Sequence, residues 1–240
     1  MKRFLNVCFV WLLLSVCSHA GFAANETSAM VRILHASPDA PAVDVYINGE
    51  QILTGIEYKE VSEYFELPIG EQTISVYSAG ESTDEMPLIE QLFFLEDEQS
   101  YTVGIAGDVE KIQLAKLVDD KNVGENETKI RIAHLSPDAP PVNIVAPSSG
   151  ETLISNLPFS NVSPYLDLFS GTYDFEIQPI GSDELLELQG LDLKNGTIYT
   201  AVTVGLLAGE PEFEMLLLTD FMPIPDQLPK TGLGGTAKVD

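Results

Sequence analysis

The stretch His35-Ala36-Ser37-Pro38-Asp39-Ala40-Pro41 occurs a second time as His134-Leu135-Ser136-Pro137-Asp138-Ala139-Pro140. Each copy follows a short apolar run that contains one arginine, Arg32 in the first and Arg131 in the second. Each copy also precedes a segment in which apolar residues alternate. Because seven such specific residues do not recur by chance, the sequence indicates a tandem duplication.

The segments after the first copy have the period of β-strands. Val43, Val45 and Ile47 occupy alternate positions, as in a strand with one buried face. Asn48-Gly49 then predicts a two-residue hairpin turn, because both turn positions need positive φ. Further short apolar runs lie at 51–53, 61–67, 73–77, 88–95, 101–106 and 111–117. The sequence therefore predicts an all-β protein of two tandem antiparallel β-sandwich domains of immunoglobulin-like type, with a small closed barrel as the alternative.

The repeats divide the chain into five segments. We expect a signal peptide at 1–24, a first repeat at 30–119, a polar linker at 120–128, a second repeat at 129–221 and a flexible tail at 222–240. The last strand of the second repeat, 213–218, is more apolar than its counterpart at 111–117. This difference predicts burial of that strand on both faces, against the first repeat.

Charge limits the classes of partner. The chain has 12 Lys+Arg against 37 Asp+Glu, a net charge of -25. So acidic a chain repels phosphate backbones and anionic membrane surfaces, so neither nucleic acid nor membrane is an expected partner. The same balance is typical of a solvated, soluble extracellular surface.

The first 24 residues have the pattern of a secretory signal peptide. Lys2 and Arg3 precede a mostly apolar run, 4–16, and small residues follow at 18–24. That run is too short to span a bilayer comfortably, so we expect a secreted chain without a transmembrane span after cleavage. Both cysteines, Cys8 and Cys17, lie here, so the mature domains hold no disulfide. Lipidation at Cys17 is the alternative.

The phrase Val-Arg-Ile-Leu-His-Ala-Ser-Pro-Asp-Ala-Pro-Ala-Val-Asp-Val-Tyr-Ile-Asn-Gly, residues 31–49, resembles the DUF4397 family of bacterial and archaeal extracellular domains. The second copy is looser, since Asn143 stands in place of Asp44 and no Asn-Gly turn follows. The resemblance covers both repeats. It implies an extracellular domain and no particular catalytic residue.

The repeated motif contains the residue types of a hydrolytic triad, in His35, Ser37 and Asp39. Three residues within five positions, interrupted by Pro38, cannot easily point their side chains at one another, so we interpret the motif as a structural turn. The histidines would bond to the turn, and each arginine would pair with a carboxylate such as Asp39 or Asp138. The residues assigned to this role are Arg32, His35, Ser37, Pro38, Asp39, Pro41, Arg131, His134, Ser136, Pro137, Asp138 and Pro140.

No cofactor is expected. A calcium site is the alternative, begun by Asp39 with Asp44 or by Asp138 with Asn143. Four tyrosines crowd into the first repeat, Tyr46, Tyr58, Tyr64 and Tyr77, and a sugar-stacking or protein-binding face is one interpretation of them. Ordinary strand tyrosines are the other.

The tail contains Leu228-Pro229-Lys230-Thr231-Gly232, which resembles the LPxTG sorting signal of Gram-positive surface proteins. The resemblance implies cleavage between Thr231 and Gly232 by sortase and attachment to peptidoglycan. The apolar span and basic tail of a standard signal do not follow in this sequence.

Together these features predict a secreted, cell-wall-associated, non-catalytic protein that acts in binding, adhesion or spacing at the envelope, with an unknown protein or glycan as ligand. The alternative is an envelope hydrolase that acts on glycans or peptides. A hydrolase would need a cleft with paired carboxylates. A pure spacer would have no concave or tyrosine-rich exposed face.

Overall fold

A computed structural model describes residues 27–81, 83–183 and 185–223. The predicted signal peptide, Cys17 and the LPKTG motif lie outside these residues. Within them, strands and turns account for the fold, and the single helical element is a short 3-10 turn at Val109–Lys111. None of the described residues form a helix with the length and apolarity that a bilayer crossing requires.

The first repeat is a sandwich of two four-stranded sheets. One sheet has the order β4-β1-β7-β8, and the other has the order β3-β2-β5-β6. The strands are β1 (Ser28–His35), β2 (Val43–Ile47), β3 (Glu50–Ile56), β4 (Phe65–Pro68), β5 (Gly70–Ser78), β6 (Ile89–Leu95), β7 (Ser100–Ala106) and β8 (Gln113–Asp119).

The second repeat has the same arrangement. One sheet has the order β12-β9-β16-β17, with β13 also paired to β9, and the other has the order β11-β10-β14-β15. The strands are β9 (Glu127–His134), β10 (Val142–Ala146), β11 (Glu151–Leu157), β12 (Asn161–Val162), β13 (Leu166–Phe169), β14 (Gly171–Pro179), β15 (Leu186–Leu193), β16 (Ile198–Val204) and β17 (Glu214–Phe221).

The predicted all-β sandwich fold is confirmed. Alternate residues of β2, such as Val43 and Val45, are buried in the core between the two sheets of the first repeat. The hairpin turn also forms as predicted, with φ of 52° at Asn48 and 84° at Gly49 between β2 and β3. One pair in each repeat is parallel rather than antiparallel, β1 with β7 and β9 with β16.

The two repeats pack back to back through the sheets that contain β1 and β9, which we call the inner sheets. The other two sheets are the outer sheets. Every residue of β7 and of β16 is buried, because one face of each strand meets its own core and the other meets the opposite repeat. The molecule therefore has four β-layers. The apolar residues shared between the inner sheets are Leu34, Ala36, Ala106, Ala115, Leu117, Ala133, Leu135, Val202, Val204 and Leu218.

Gly104 on β7 makes room for this interface. A Cβ at position 104 would lie 2.7 Å from Cδ1 of Leu135, the leucine within the second copy of the motif. Leu135 is itself 1% exposed, so its side chain has little freedom to move. The close approach of the repeats at this point depends on a residue without a side chain.

Two strand predictions were wrong in detail. The run 61–67 forms a strand only from Phe65, and Val61 makes an isolated bridge to Leu34 along the same edge. The last strand β17 is buried only in part, and it contacts the first repeat through some of its residues, such as Leu216, Leu218 and Asp220. A strand at the edge of a sheet keeps one side open to solvent, which sequence hydrophobicity does not reveal.

Candidate functional site

The first motif is a buried clamp between the end of β1 and the loop after β7. His35 is fully buried, and its Nε2–H donates to the carbonyl of Pro41 at 3.0 Å. Nδ1 accepts the Ser37 N–H at 3.3 Å, so both ring nitrogens bond within the turn. Ser37 Oγ donates to the carbonyl of Gly107 at 2.5 Å, and Asp39 accepts the Val109 N–H at 2.8 Å. The motif thus joins two loops distant in sequence.

The second motif repeats this geometry. His134 bonds to the carbonyl of Pro140 at 3.2 Å and to Thr203 Oγ1 at 3.0 Å. Ser136 Oγ donates to the carbonyl of Gly205 at 2.6 Å. The carboxylate of Asp138 accepts two N–H groups from the loop after β16, at 2.7 and 2.9 Å.

Glycine is required at the acceptor position of each clamp. Gly107 has a φ of 98° and Gly205 a φ of 79°, a region that side-chain-bearing residues rarely adopt. A Cβ at Gly205 would also lie 2.0 Å from the carbonyl oxygen of Glu212. The loop therefore reaches the serine of the motif only with glycine at this position.

These contacts do not form a triad. The serine hydroxyl donates to a backbone carbonyl rather than to the imidazole, and the imidazole Nε2–H faces a proline carbonyl. Burial lowers the pKa of His35 and of His134 below the ordinary value of 6.5, and the proline carbonyls only partly offset this effect. Neutral imidazoles inside the protein fit the structural role that the sequence predicts.

The carboxylates weighed as calcium ligands are occupied by the backbone. Asp44 accepts the N–H groups of Gly55 and Gly80, at 2.7 and 3.1 Å, and Asp39 caps Val109. Among the described residues, no three His, Cys, Asp or Glu side chains converge as a metal site would require.

Each arginine pairs with a carboxylate, as predicted, but the named partners Asp39 and Asp138 were wrong. Arg32 does not pair with Asp39 but reaches across the inner interface to Asp220 at the end of β17, with Nη2 2.5 Å from Oδ1. It also donates to Thr102 Oγ1 at 2.8 Å and stacks over the ring of Tyr64 at 4.7 Å. The arginine therefore bonds to the opposite repeat.

Arg131 makes the reciprocal contacts. It pairs with Asp119, at the end of β8 in the first repeat, and donates to Thr200 Oγ1 at 2.8 Å. Its guanidinium lies 4.5 Å from the ring centre of Tyr165. We call these eight residues the reciprocal network: Arg32, Tyr64, Thr102, Asp119, Arg131, Tyr165, Thr200 and Asp220.

The aspartates of the network are buried, and Arg131 lies near both of them. The side chains of Asp119 and Asp220 are 0% exposed. Burial raises the pKa of Asp220, and the charge of Asp119 adds to this effect, whereas Arg131, Thr200 and Arg32 oppose it. Burial, with the neighbouring aspartates, also raises the pKa of Tyr64 and of Tyr165, so both phenols stay protonated and donate to the carboxylates at 2.7 Å.

The outer sheet of the first repeat carries a groove of about 540 Å³, which we call the tyrosine groove. Tyr46 on β2 and Tyr77 on β5 meet edge to face there, with ring centres 5.2 Å apart. Ser75 Oγ donates to Glu90 at 2.9 Å on the same face. The residues that line the groove are Tyr46, Asn48, Gly49, Thr73, Ser75, Tyr77, Thr83 and Glu90.

The four crowded tyrosines therefore separate into two sets. Tyr46 and Tyr77 lie on the outer face, as a binding surface requires. Tyr64 belongs to the reciprocal network, and Tyr58 packs against the inner interface, where burial and the charge of Glu214 raise its pKa to about 12.

The corresponding face of the second repeat is different. Strand register places Val145 where Tyr46 stands and Gln178 where Tyr77 stands. Glu176 replaces Ser75 and lies directly opposite Glu187. This face therefore lacks both aromatic rings and has one more carboxylate than the first repeat.

Sequence reasoning missed Asp119 and Asp220. Both lie at the end of the last strand of their repeat, and each has a tyrosine and a threonine partner that the other repeat also has. The sequence signal that could have located them is the set of polar residues, outside the heptad, that are identical in the two repeats.

Comparison with solved structures gives weak likenesses. The chain is similar to the Bacillus anthracis TIE protein, with 14% identity and a TM-score of 0.23 over 75% of this chain, and it spans 34% of that one. It is also similar to a "putative cell adhesion protein" from Parabacteroides distasonis, with 7% identity and a TM-score of 0.22, over 80% of this chain and 98% of that one. A protein of the same description from Bacteroides ovatus has 11% identity and a TM-score of 0.22, over 84% and 100% of the two chains.

No curated protein matches this chain. The model of a domain of unknown function, DUF4397, matches twice, at residues 29–145 and 128–228. The two matches cover both sandwiches, including both motifs and the reciprocal network. The chain belongs to the DUF4397 family, as two tandem copies of its domain.

Proposed function

We propose that this chain is a secreted, envelope-exposed protein that binds a ligand without catalysis, displayed at the cell wall through its LPKTG motif. The proposal rests on where the polar residues that the two repeats share lie in the structure. Most of the shared polar residues are engaged within the protein. The histidines, serines and arginines of the two repeats are buried, and the exposed carboxylates of Asp39 and Asp138 accept backbone N–H groups. The outer sheets are left as the surfaces on which partners can act.

Rigid back-to-back packing supports a display role. The two repeats are joined by an apolar interface and by two reciprocal ion pairs, so their outer faces point in opposite directions from one body. A rigid module loses little conformational entropy on binding, and this favours affinity. The tyrosine groove is the concave, aromatic surface that a pure spacer would lack.

The chemistry of the groove favours binding over hydrolysis. Glu90 is the one carboxylate among its lining residues. Most glycosidases need two carboxyl groups across the scissile bond. Asp119 and Asp220, which lie close to the same guanidinium of Arg131, are in the inner interface and their side chains are 0% exposed.

The proposal is tested by intact-mass spectrometry of the protein from its own cells, after separation of wall, membrane, medium and cytoplasm. The expected species is a wall-fraction chain that begins after residues 20–24 and ends at Thr231 with peptidoglycan fragments attached. A chain in the medium that still ends at Asp240 would overturn wall attachment and leave a secreted protein. A diacylglyceryl adduct on Cys17 would make the protein a lipoprotein, and a cytoplasmic chain with an intact leader would overturn the proposal entirely.

A further inference from the structure

We infer that the tyrosine groove on the first repeat binds an uncharged oligosaccharide, with one pyranose ring stacked on Tyr46. This inference rests on the proposed function and gives the chemical class of its ligand. The aromatic geometry, the polar lining, the charge of the groove and the contrast with the second repeat each contribute to it.

The aromatic pair provides a supported platform. Tyr77 is 9% exposed and meets Tyr46 edge to face, so it holds the more exposed ring in place. A tyrosine ring offers a flat apolar surface, with a hydroxyl that can hydrogen-bond at its edge. The C–H face of a pyranose is flat and apolar in the same way, while its hydroxyls project around the rim.

The polar residues around the platform are already oriented. Asn48 Nδ2 donates to Gln72 Oε1 at 2.7 Å, and Asn48 Oδ1 accepts the Thr73 N–H at 2.9 Å. Ser75 and Glu90 are held together at 2.9 Å on the neighbouring strands. Side chains fixed in this way lose little rotamer entropy on binding. The volume, about 540 Å³, lies within the range of small-molecule sites.

The charge of the groove favours an uncharged ligand over an anionic one. The described residues that line it include one carboxylate and neither lysine nor arginine. An acidic sugar or a phosphate would meet Glu90 without a compensating cation, in a chain of net charge -25. Hydroxyl and amide groups form the rest of the polar lining, and these match the hydroxyls of a neutral sugar better than they match a chain of cationic groups.

The second repeat provides a natural contrast. Its equivalents of Tyr46, Ser75 and Tyr77 are Val145, Glu176 and Gln178, so it has neither ring and has an added charge. The ligand should therefore bind to the first repeat and not to the second. The pair of substitutions Tyr46→Val and Tyr77→Gln converts the groove to the residues that the second repeat already accommodates.

The experiment titrates the mature chain with tetrasaccharides of β-linked glucose, N-acetylglucosamine and galactose, and with a lysine-rich peptide. Backbone amide NMR shifts map the site and give the affinity. Response to the N-acetylglucosamine oligomer would indicate wall polysaccharide as the source. Response to the galactose or glucose oligomers would indicate a glycan from outside the wall. Gln178→Ala, on the opposite outer face, is the matched control.

We expect at least one sugar to shift amides of β2 and β5, and the Tyr46→Val/Tyr77→Gln chain to bind it at least tenfold more weakly. Gln178→Ala should bind as the parent does. If circular dichroism shows that the double variant is unfolded, the single variants Tyr46→Val and Glu90→Gln replace it in the experiment. Each of them should weaken binding. Absence of binding to all three sugars, binding unaffected by these variants, or binding of the lysine-rich peptide alone would overturn the inference. A chain that is anchored to the wall but binds none of the sugars would overturn this inference and leave the proposed function standing.

Discussion

The two repeats have the same polar residues at the inner interface but different residues on their outer faces. At the inner interface the repeats present the same polar residues, arginine, tyrosine, threonine and aspartate, and the arginine of each repeat pairs with the aspartate of the other. On the outer faces one repeat has a tyrosine pair where the other has Val145 and Gln178. A symmetric, buried contact needs complementary groups on both sides, whereas an exposed face has no such requirement. The outer faces are therefore where the repeats can take different roles.

The largest expected effect comes from removal of one arginine of the reciprocal network. Arg32→Ala removes the closest cation from the buried Asp220, and Arg131→Ala removes that of Asp119. Each loss should lower the free energy of unfolding by about 3–5 kcal/mol. Urea denaturation followed by circular dichroism measures it, with Lys59→Ala as the control.

Lys59 pairs with Glu214 across the same interface but is 36% exposed, so its loss should cost less than about 1 kcal/mol. Because Nη2 of Arg131 also lies 3.9 Å from Oδ2 of Asp220, Arg131→Ala should be destabilised at least as much as Arg32→Ala. A clearly larger loss in Arg32→Ala would show that Arg131 does not support both aspartates as its contacts indicate.

A smaller effect is expected at the close approach of the repeats. Gly104→Ala puts a methyl group against Cδ1 of Leu135, and overpacking of this kind costs about 1–3 kcal/mol. The melting temperature of the variant should fall, and the second change Leu135→Val should restore part of it. If Gly104→Ala melted like the parent, the inner interface would be looser than the four-layer packing implies.

The buried histidines predict a dependence on pH. Burial lowers the pKa of His35 and of His134 below 6.5, so at acidic pH the unfolded chain binds more protons than the folded one. The free energy of unfolding should then fall as pH drops below about 6.5, by at most about 1.4 kcal/mol per pH unit for each histidine. Asp220 acts in the opposite sense, because its pKa is raised and its contribution is lost as pH rises.

Denaturation between about pH 5 and pH 7.5 measures this dependence, and His35→Gln and His134→Gln separate the histidine contribution. Each variant should flatten the dependence by a similar amount, since the two clamps have the same form. A variant with the full slope of the parent would mean that its histidine is not buried in the neutral form.

The smallest effect is expected on the outer face of the second repeat. Glu176 and Glu187 lie directly opposite on neighbouring strands, and like charges in that position destabilise a sheet. Glu187→Lys should therefore raise the free energy of unfolding by about 0.2–1 kcal/mol, and the gain should shrink in about 1 M salt. The equivalent change Glu90→Lys in the first repeat should give no such gain, since Glu90 lies opposite Ser75 rather than a carboxylate.

The sequence by itself determined the duplication, the all-β class and the Asn48-Gly49 hairpin, and it predicted a structural role for the heptad. These depend on local rules: alternation along a strand, positive φ in a tight turn, and the preference of serine, proline and aspartate for turns. Only the tertiary structure decided that Arg32 pairs with Asp220, that Gly104 admits Leu135, and that Tyr46 and Tyr77 form a groove while Tyr58 and Tyr64 do not. Each of these depends on which face of a sheet meets the other repeat. Alternation shows that a strand has two faces, but it does not show which partner covers each one.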